Sequence, residues 1–117
     1  MQLINLDNGK ILANEVTVAN TFFKRLRGLM FTKNLPPGCA LLIQPCQSVH
    51  TFFMNYELDI LYLNKKSIVV ALEEHLKPGK VGKFVKNAKV VVELPAGTIQ
   101  TTGTKANQGI QIIKRGD

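Results

Sequence analysis

The chain has 117 residues, a length that predicts one domain spanning 1–117. With 45% hydrophobic and 20% charged residues, it is neither disordered nor fibrous, and it is long enough to hold a core without disulfides or metal. Its formal net charge is +7, no apolar run approaches the ~18 residues of a membrane helix, and the opening MQLINLDNGK lacks the order of a signal peptide, so a cytoplasmic location is expected.

In chain order, residues 3–6 (LINL) and 10–13 (KILA) flank Asp7-Asn8-Gly9, the pattern of a β-hairpin whose Asn-Gly tolerates the positive φ of a type I′ turn. Residues 15–18 (EVTV) alternate and prolong or follow the second strand. Asn20 or Thr21 caps a helix over 22–26, which Gly28 ends in the left-handed conformation. Phe22, Phe23 and Leu26 form one apolar stripe on that helix, with Lys24, Arg25 and Arg27 nearer the surface. Pro36-Pro37-Gly38 turns the chain into residues 39–43 (CALLI), an apolar run suited to a buried strand. Strands follow at 49–54 (VHTFFM), 59–63 and 68–72, the last two joined by Asn64-Lys65-Lys66-Ser67. A valine-rich strand covers 88–94 and Pro95-Ala96-Gly97 breaks it. Residues 98–102 then make a helical turn, 110–113 a final strand and 114–117 a tail. Seven or eight short strands with one or two short helices predict a mainly β fold, an antiparallel β-sandwich or partly closed barrel.

Charge is uneven along the chain. Residues 1–60 carry five basic and four acidic side chains, residues 61–117 ten and four. Lys77, Lys80, Lys83, Lys86 and Lys89 recur every third position with no acid between them. Such a run attracts nucleic acid or another polyanion through counterion release; equally, it suits a solvated loop that keeps a β-rich domain soluble. Pro78, Gly79 and Gly82 interrupt any continuous helix there, and Phe84 alone offers a ring for a base to stack on. Cys39 and Cys46 have six residues between them, wider than a metal knuckle, and His50 would bring the ligand count only to three, so no metal is predicted. A reducing compartment disfavours a disulfide, which leaves both cysteines as small buried hydrophobes.

Three segments in order carry a resemblance: residues 25–31 (RLRGLMF), residues 49–54 (VHTFFM) followed by Asp59-Ile60, and residues 92–98 (VELPAGT). Together they resemble the DUF192 family of small prokaryotic proteins, over about residues 17–103. The resemblance implies a compact β-rich domain of this length and a family without an established biochemical role. Two departures stand out. Relatives often carry a Gly-Asp pair leading into the last strand, where this chain has Ala106-Asn107-Gln108-Gly109, and many carry an export signal that the start of this sequence lacks.

Residue chemistry and resemblance together single out Arg25, Arg27, His50, Asp59 and Glu93. His50 with Asp59 or Glu93 would make a general acid/base pair, and Arg25 and Arg27 would clamp an anion. Each residue also has a structural explanation. The arginines suit the carbonyls of a helix end, and Asp59 suits the capping of a turn. Glu93 suits a cross-strand pair with an arginine, and His50 a half-buried hydrogen-bonded position. Met30, Met54, Phe31, Phe52 and Phe53 read as core. The sequence has no Gly-rich phosphate loop, nucleophile elbow or metal-spaced His pair, so no cofactor is predicted. The leading expectation is a noncatalytic binding domain for a small ligand or partner protein. The alternatives are a small acid/base enzyme built on His50 and polyanion binding through residues 77–89.

Overall fold

A computed structural model describes residues 1–114; the expected tail from residue 115 onward lies outside the described residues. The elements are β1 (Gln2–Asn5), β2 (Ile11–Ala13), β3 (Glu15–Ala19), α1 (Phe22–Arg27), β4 (Cys39–Ile43), β5 (Leu58–Leu63), β6 (Val69–Leu76), β7 (Val90–Pro95), α2 (Thr98–Thr102) and β8 (Ile110–Ile113). Strands β2-β1-β8 form one sheet and β3-β4-β7-β5-β6 the other. The fold is mainly β with two short helices, and the two sheets are not closed into a barrel. All pairings are antiparallel except β3 with β4.

The five-stranded sheet is covered on both faces, which explains the apolar runs at its centre. Every residue of β5 is buried. Its alternate side chains enter two different clusters. Leu61 and Leu63 join Leu42, Val92 and Leu94 against Leu3, Leu12 and Ile110 of the smaller sheet. Leu58, Ile60 and Tyr62 join Leu41, Ile43 and Val91 under a layer of loops. Sheet-on-sheet packing therefore stabilises one face, at roughly 2 kcal/mol for each fully buried Leu, while two long segments close the other.

Those segments correct the expected strand at 49–54. Residues 46–51 run alongside the lysine-rich segment 77–89, held by Cys46 N–H to Lys89 O (3.1 Å), Gly82 N–H to Val49 O (2.8 Å) and Thr51 N–H to Lys80 O (2.8 Å). Only the isolated bridge between His50 and Val81 has strand character. Close packing demands a glycine at 82, where a Cβ would lie 2.9 Å from both Tyr62 Oη and Glu73 Oε1. Those two atoms are themselves hydrogen-bonded at 2.6 Å.

Other local expectations shift in detail. Gly9 takes positive φ (74°) but Asn8 does not, so the first turn is not type I′. Thr21 is the cap of α1, its Oγ1 accepting from Lys24 N–H at 3.2 Å. Gly28 ends the helix at φ 51°, ψ −124°, outside the left-handed helical basin. The stripe on α1 is not buried: Phe22, Phe23 and Leu26 are all exposed. Phe31, Phe52 and Phe53 are likewise at the surface rather than in the core, whereas Met54 is buried. Cys39 and Cys46 are free thiols, half-buried rather than fully enclosed.

Candidate functional site

Glu93 anchors the site. It sits in β7 opposite Leu41 of β4 and Ile60 of β5, so its side chain leaves the sheet on the loop-covered face. No arginine is its cross-strand partner. It is 2% exposed, and its Oε1 has no hydrogen-bond partner. Burial favours the neutral carboxyl and pushes its pKa up to about 8.

Above Glu93 lies a small cleft of about 40 Å³ between the end of α1 and residues 46–50. Arg25, Arg27, Cys46, Ser48 and His50 line it with Glu93. Arg25 donates from Nη1 to Pro45 O at 3.1 Å, while its Nε is buried and unpartnered. Gly28 brings bare backbone over the carboxyl: a Cβ there would stand 3.6 Å from Glu93 Oε1. Cys46 places its thiol in the same cleft, donating to Ser48 O at 3.0 Å. Burial, reinforced by the negative charge that an ionised Glu93 would carry, raises its pKa, so the thiol stays protonated.

His50 uses both ring nitrogens on backbone. Nδ1 accepts from Phe52 N–H at 3.2 Å, which leaves the proton on Nε2, 3.1 Å from Leu26 O. That carbonyl is one of the acceptors left open at the end of α1. His50 therefore ties the helix to the loop and orients one wall of the cleft.

Asp59 is elsewhere. It is fully buried opposite Leu94, on the other face of the sheet from Glu93. Its Oδ2 accepts from Gly97 N–H (3.0 Å) and Ile99 N–H (2.8 Å), and its Oδ1 from His75 N–H (3.0 Å). It caps α2 and fastens the end of β6. The structure thus brings Arg25, Arg27, His50 and Glu93 together and sets Asp59 apart. Of the five lysines in 77–89, all are exposed, and none lines the cleft.

Exposed aromatic rings pair in the segments that carry the cleft residues, and Phe52 reaches the cleft through His50. Phe31 and Phe53 stack at 5.2 Å, His50 and Phe52 at 5.1 Å, and Phe22 meets Phe23 edge-on at 5.4 Å. These five phenylalanines are 43% to 78% exposed, in three ring pairs at the surface. Sequence reasoning missed Cys46 and Ser48 as cleft residues. The four-residue step from Cys46 to His50 was the available signal, but read for metal it pointed nowhere. Among the described residues no group of three or more His, Cys, Asp or Glu gathers to hold a metal ion.

The motifs that frame this cleft are those of a known family. Its model, DUF192, described as an uncharacterized ACR, matches residues 3–112. The chain belongs to the DUF192 family. This DUF192 protein is 35% identical over 102 residues to a UPF0127 protein of Thermococcus sibiricus, a match covering 83% of this chain and 65% of that one. It is 32% identical to a UPF0127 protein of Pyrococcus furiosus over 93% of this chain and 96% of that one. The chain thus spans about two thirds of the first relative's length and nearly all of the second's. Among solved structures, a protein of unknown function from Novosphingobium aromaticivorans superposes with a TM-score of 0.82 at 15% identity, over 95% of this chain and 82% of that one. That likeness is one of fold. No helix among the described residues is long and apolar enough to cross a membrane.

Proposed function

We propose that this protein is a noncatalytic binding domain whose recognition site is the cleft over Glu93. The observation that carries this reading is the unpartnered Oε1 of a buried carboxyl in a cleft shared with the unpartnered Nε of Arg25. Buried polar atoms are nearly always satisfied, so two orphans lining one small space point to a group that supplies a donor to one and an acceptor to the other. Roomier hollows exist, one of about 660 Å³ beside α2. Among the described residues, however, no other buried side-chain nitrogen or oxygen lacks a partner. The cleft admits a few heavy atoms only, so the ligand offers a small head such as an amide, carboxyl or hydroxyl. Its apolar body would rest on the exposed ring of Phe52, which stacks on His50 at the cleft.

This arrangement favours binding over His50 chemistry. A general base needs a nitrogen free to take a proton, and His50 has committed one nitrogen to accepting and the other to donating. Two-dimensional NMR of the labelled protein titrated with benzamide, benzyl alcohol and benzoate tests the reading. At least one should shift amides at 25–28, 46–50 and 93, and the shifts should vanish in Glu93→Gln and Arg25→Met. Shifts that are absent for all three probes at millimolar concentration, or that persist in both variants, would overturn it.

A further inference from the structure

In sequence the lysines of 77–89 form one run, but the fold divides them. Lys77 and Lys80 are fastened through their backbone to Thr51. Lys83 donates its N–H to Glu73 Oε1 at 2.8 Å and its Nζ to Leu72 O at 3.5 Å. Lys86 and Lys89 turn the other way. They meet Lys65 and Lys66, from the turn between β5 and β6, around a cavity of about 440 Å³ that Asn64 and Asn87 complete.

Both lysine pairs stand on fixed backbone. Lys89 N–H donates to Leu63 O at 2.8 Å, and its carbonyl accepts from Cys46 N–H. Asn64 Oδ1 accepts from Lys66 N–H (2.9 Å) and Ile68 N–H (3.1 Å), which sets the turn that carries Lys65 and Lys66. No acidic side chain lines the cavity, and among the described residues none of the four ammonium groups is in a salt bridge. Four like charges around one hollow repel one another, and an anion within it relieves all four at once. A lysine is a point charge with three donors, suited to phosphate oxygens at varied angles.

We propose that Lys65, Lys66, Lys86 and Lys89 form a binding site for phosphate groups, separate from the cleft over Glu93. The phosphates could belong to a free phosphorylated molecule or to a single-stranded nucleic acid backbone, and the test distinguishes them. Labelled dodecathymidylate is titrated by fluorescence anisotropy, and pyrophosphate is titrated by calorimetry and then used as a competitor. Two double variants are compared with the parent: Lys65→Gln/Lys89→Gln and Lys77→Gln/Lys80→Gln. Each removes the same charge from exposed positions, so general attraction to a +7 protein falls equally in both.

The site predicts inequality. Lys65→Gln/Lys89→Gln should lose roughly tenfold or more in affinity at low salt, and its log–log salt slope should flatten by about 1.4, from two contacts at ~0.7 each. Lys77→Gln/Lys80→Gln should stay within about twofold of the parent. Saturable pyrophosphate binding that displaces the oligonucleotide supports a free phosphorylated ligand. Oligonucleotide binding that pyrophosphate does not displace, with the same inequality between variants, supports a nucleic acid backbone. Equal losses in the two double variants, or no binding of either probe at low salt, overturn the proposal.

Discussion

An unpartnered carboxyl at Glu93 works against folding, and that makes it measurable. Below pH 4.5 the group is protonated in both folded and unfolded chains. Between 4.5 and about 8 the unfolded chain ionises while the folded protein keeps its proton, so this residue's contribution to stability falls as pH rises. The slope approaches about 1.4 kcal/mol per pH unit, and the loss is complete above about pH 8. Glu93→Leu should therefore be more stable than the parent near neutrality by about 1–3 kcal/mol, with a margin that widens toward pH 8. Urea midpoints across that range check it; a pH-independent difference would mean that Glu93 finds a partner in solution. Substitution at Asp59 should change stability in the opposite direction. Its carboxylate accepts three backbone N–H groups, and Asp59→Asn would turn an amide NH₂ toward donors. A loss of about 3 kcal/mol is expected, and a loss below 1 kcal/mol would show that the cap of α2 is dispensable. Two carboxylates that look alike as site candidates thus separate by the sign of a single substitution.

At the scale of elements, the strands were legible where one residue pattern had one cause. The runs at 39–43, 59–63 and 90–94 are apolar apart from Asp59 and Glu93 because β4, β5 and β7 lie inside a sheet covered on both faces. Residues 49–54 carry the same β-branched and aromatic signal for a different reason. Val49 and Met54 fill the core and Thr51 binds the lysine segment, while Phe52 and Phe53 are exposed at the surface. Period and propensity cannot separate an aromatic that packs inward from one displayed for contact. The parallel pairing of β3 with β4 was equally hidden, since register between distant strands leaves no local mark. The convergence of Arg25, His50 and Glu93 was legible only as three motifs in order, because the sequence holds no record of which face of β7 Glu93 occupies. Gly28 and Gly82 are the joints that make this convergence possible. Gly28→Ala should cost about 1–3 kcal/mol from its backbone conformation alone. It should also abolish the shifts caused by whichever of the three probes binds, by covering Oε1. A variant that is destabilised yet still binds would show that access to Glu93 does not run past Gly28.

Across the whole molecule, burial is distributed unevenly, and the cleft lies between a buried strand and a helix with no buried residue. β5 and β7 are buried on both faces. α1 has six residues, none of them buried, and is held by a Thr21 cap, the Arg25 bond to Pro45 and the His50 bond to Leu26. Local opening draws on such lightly packed elements first. A cleft of about 40 Å³ admits only a small ligand head, and α1, with no buried residue, is the wall most able to adjust around it. Native-state hydrogen exchange should therefore show the α1 amides opening at least ~100-fold more often than those of β5 and β7, whose exchange should follow global unfolding. Saturation with whichever of the three probes binds should slow exchange in α1 and leave the sheet unchanged. If α1 instead exchanges together with β5 in one global step, the wall is rigid on the timescale of binding. The cleft over Glu93 would then take a ligand head only in the form it has here, and movement of α1 would have no part in recognition.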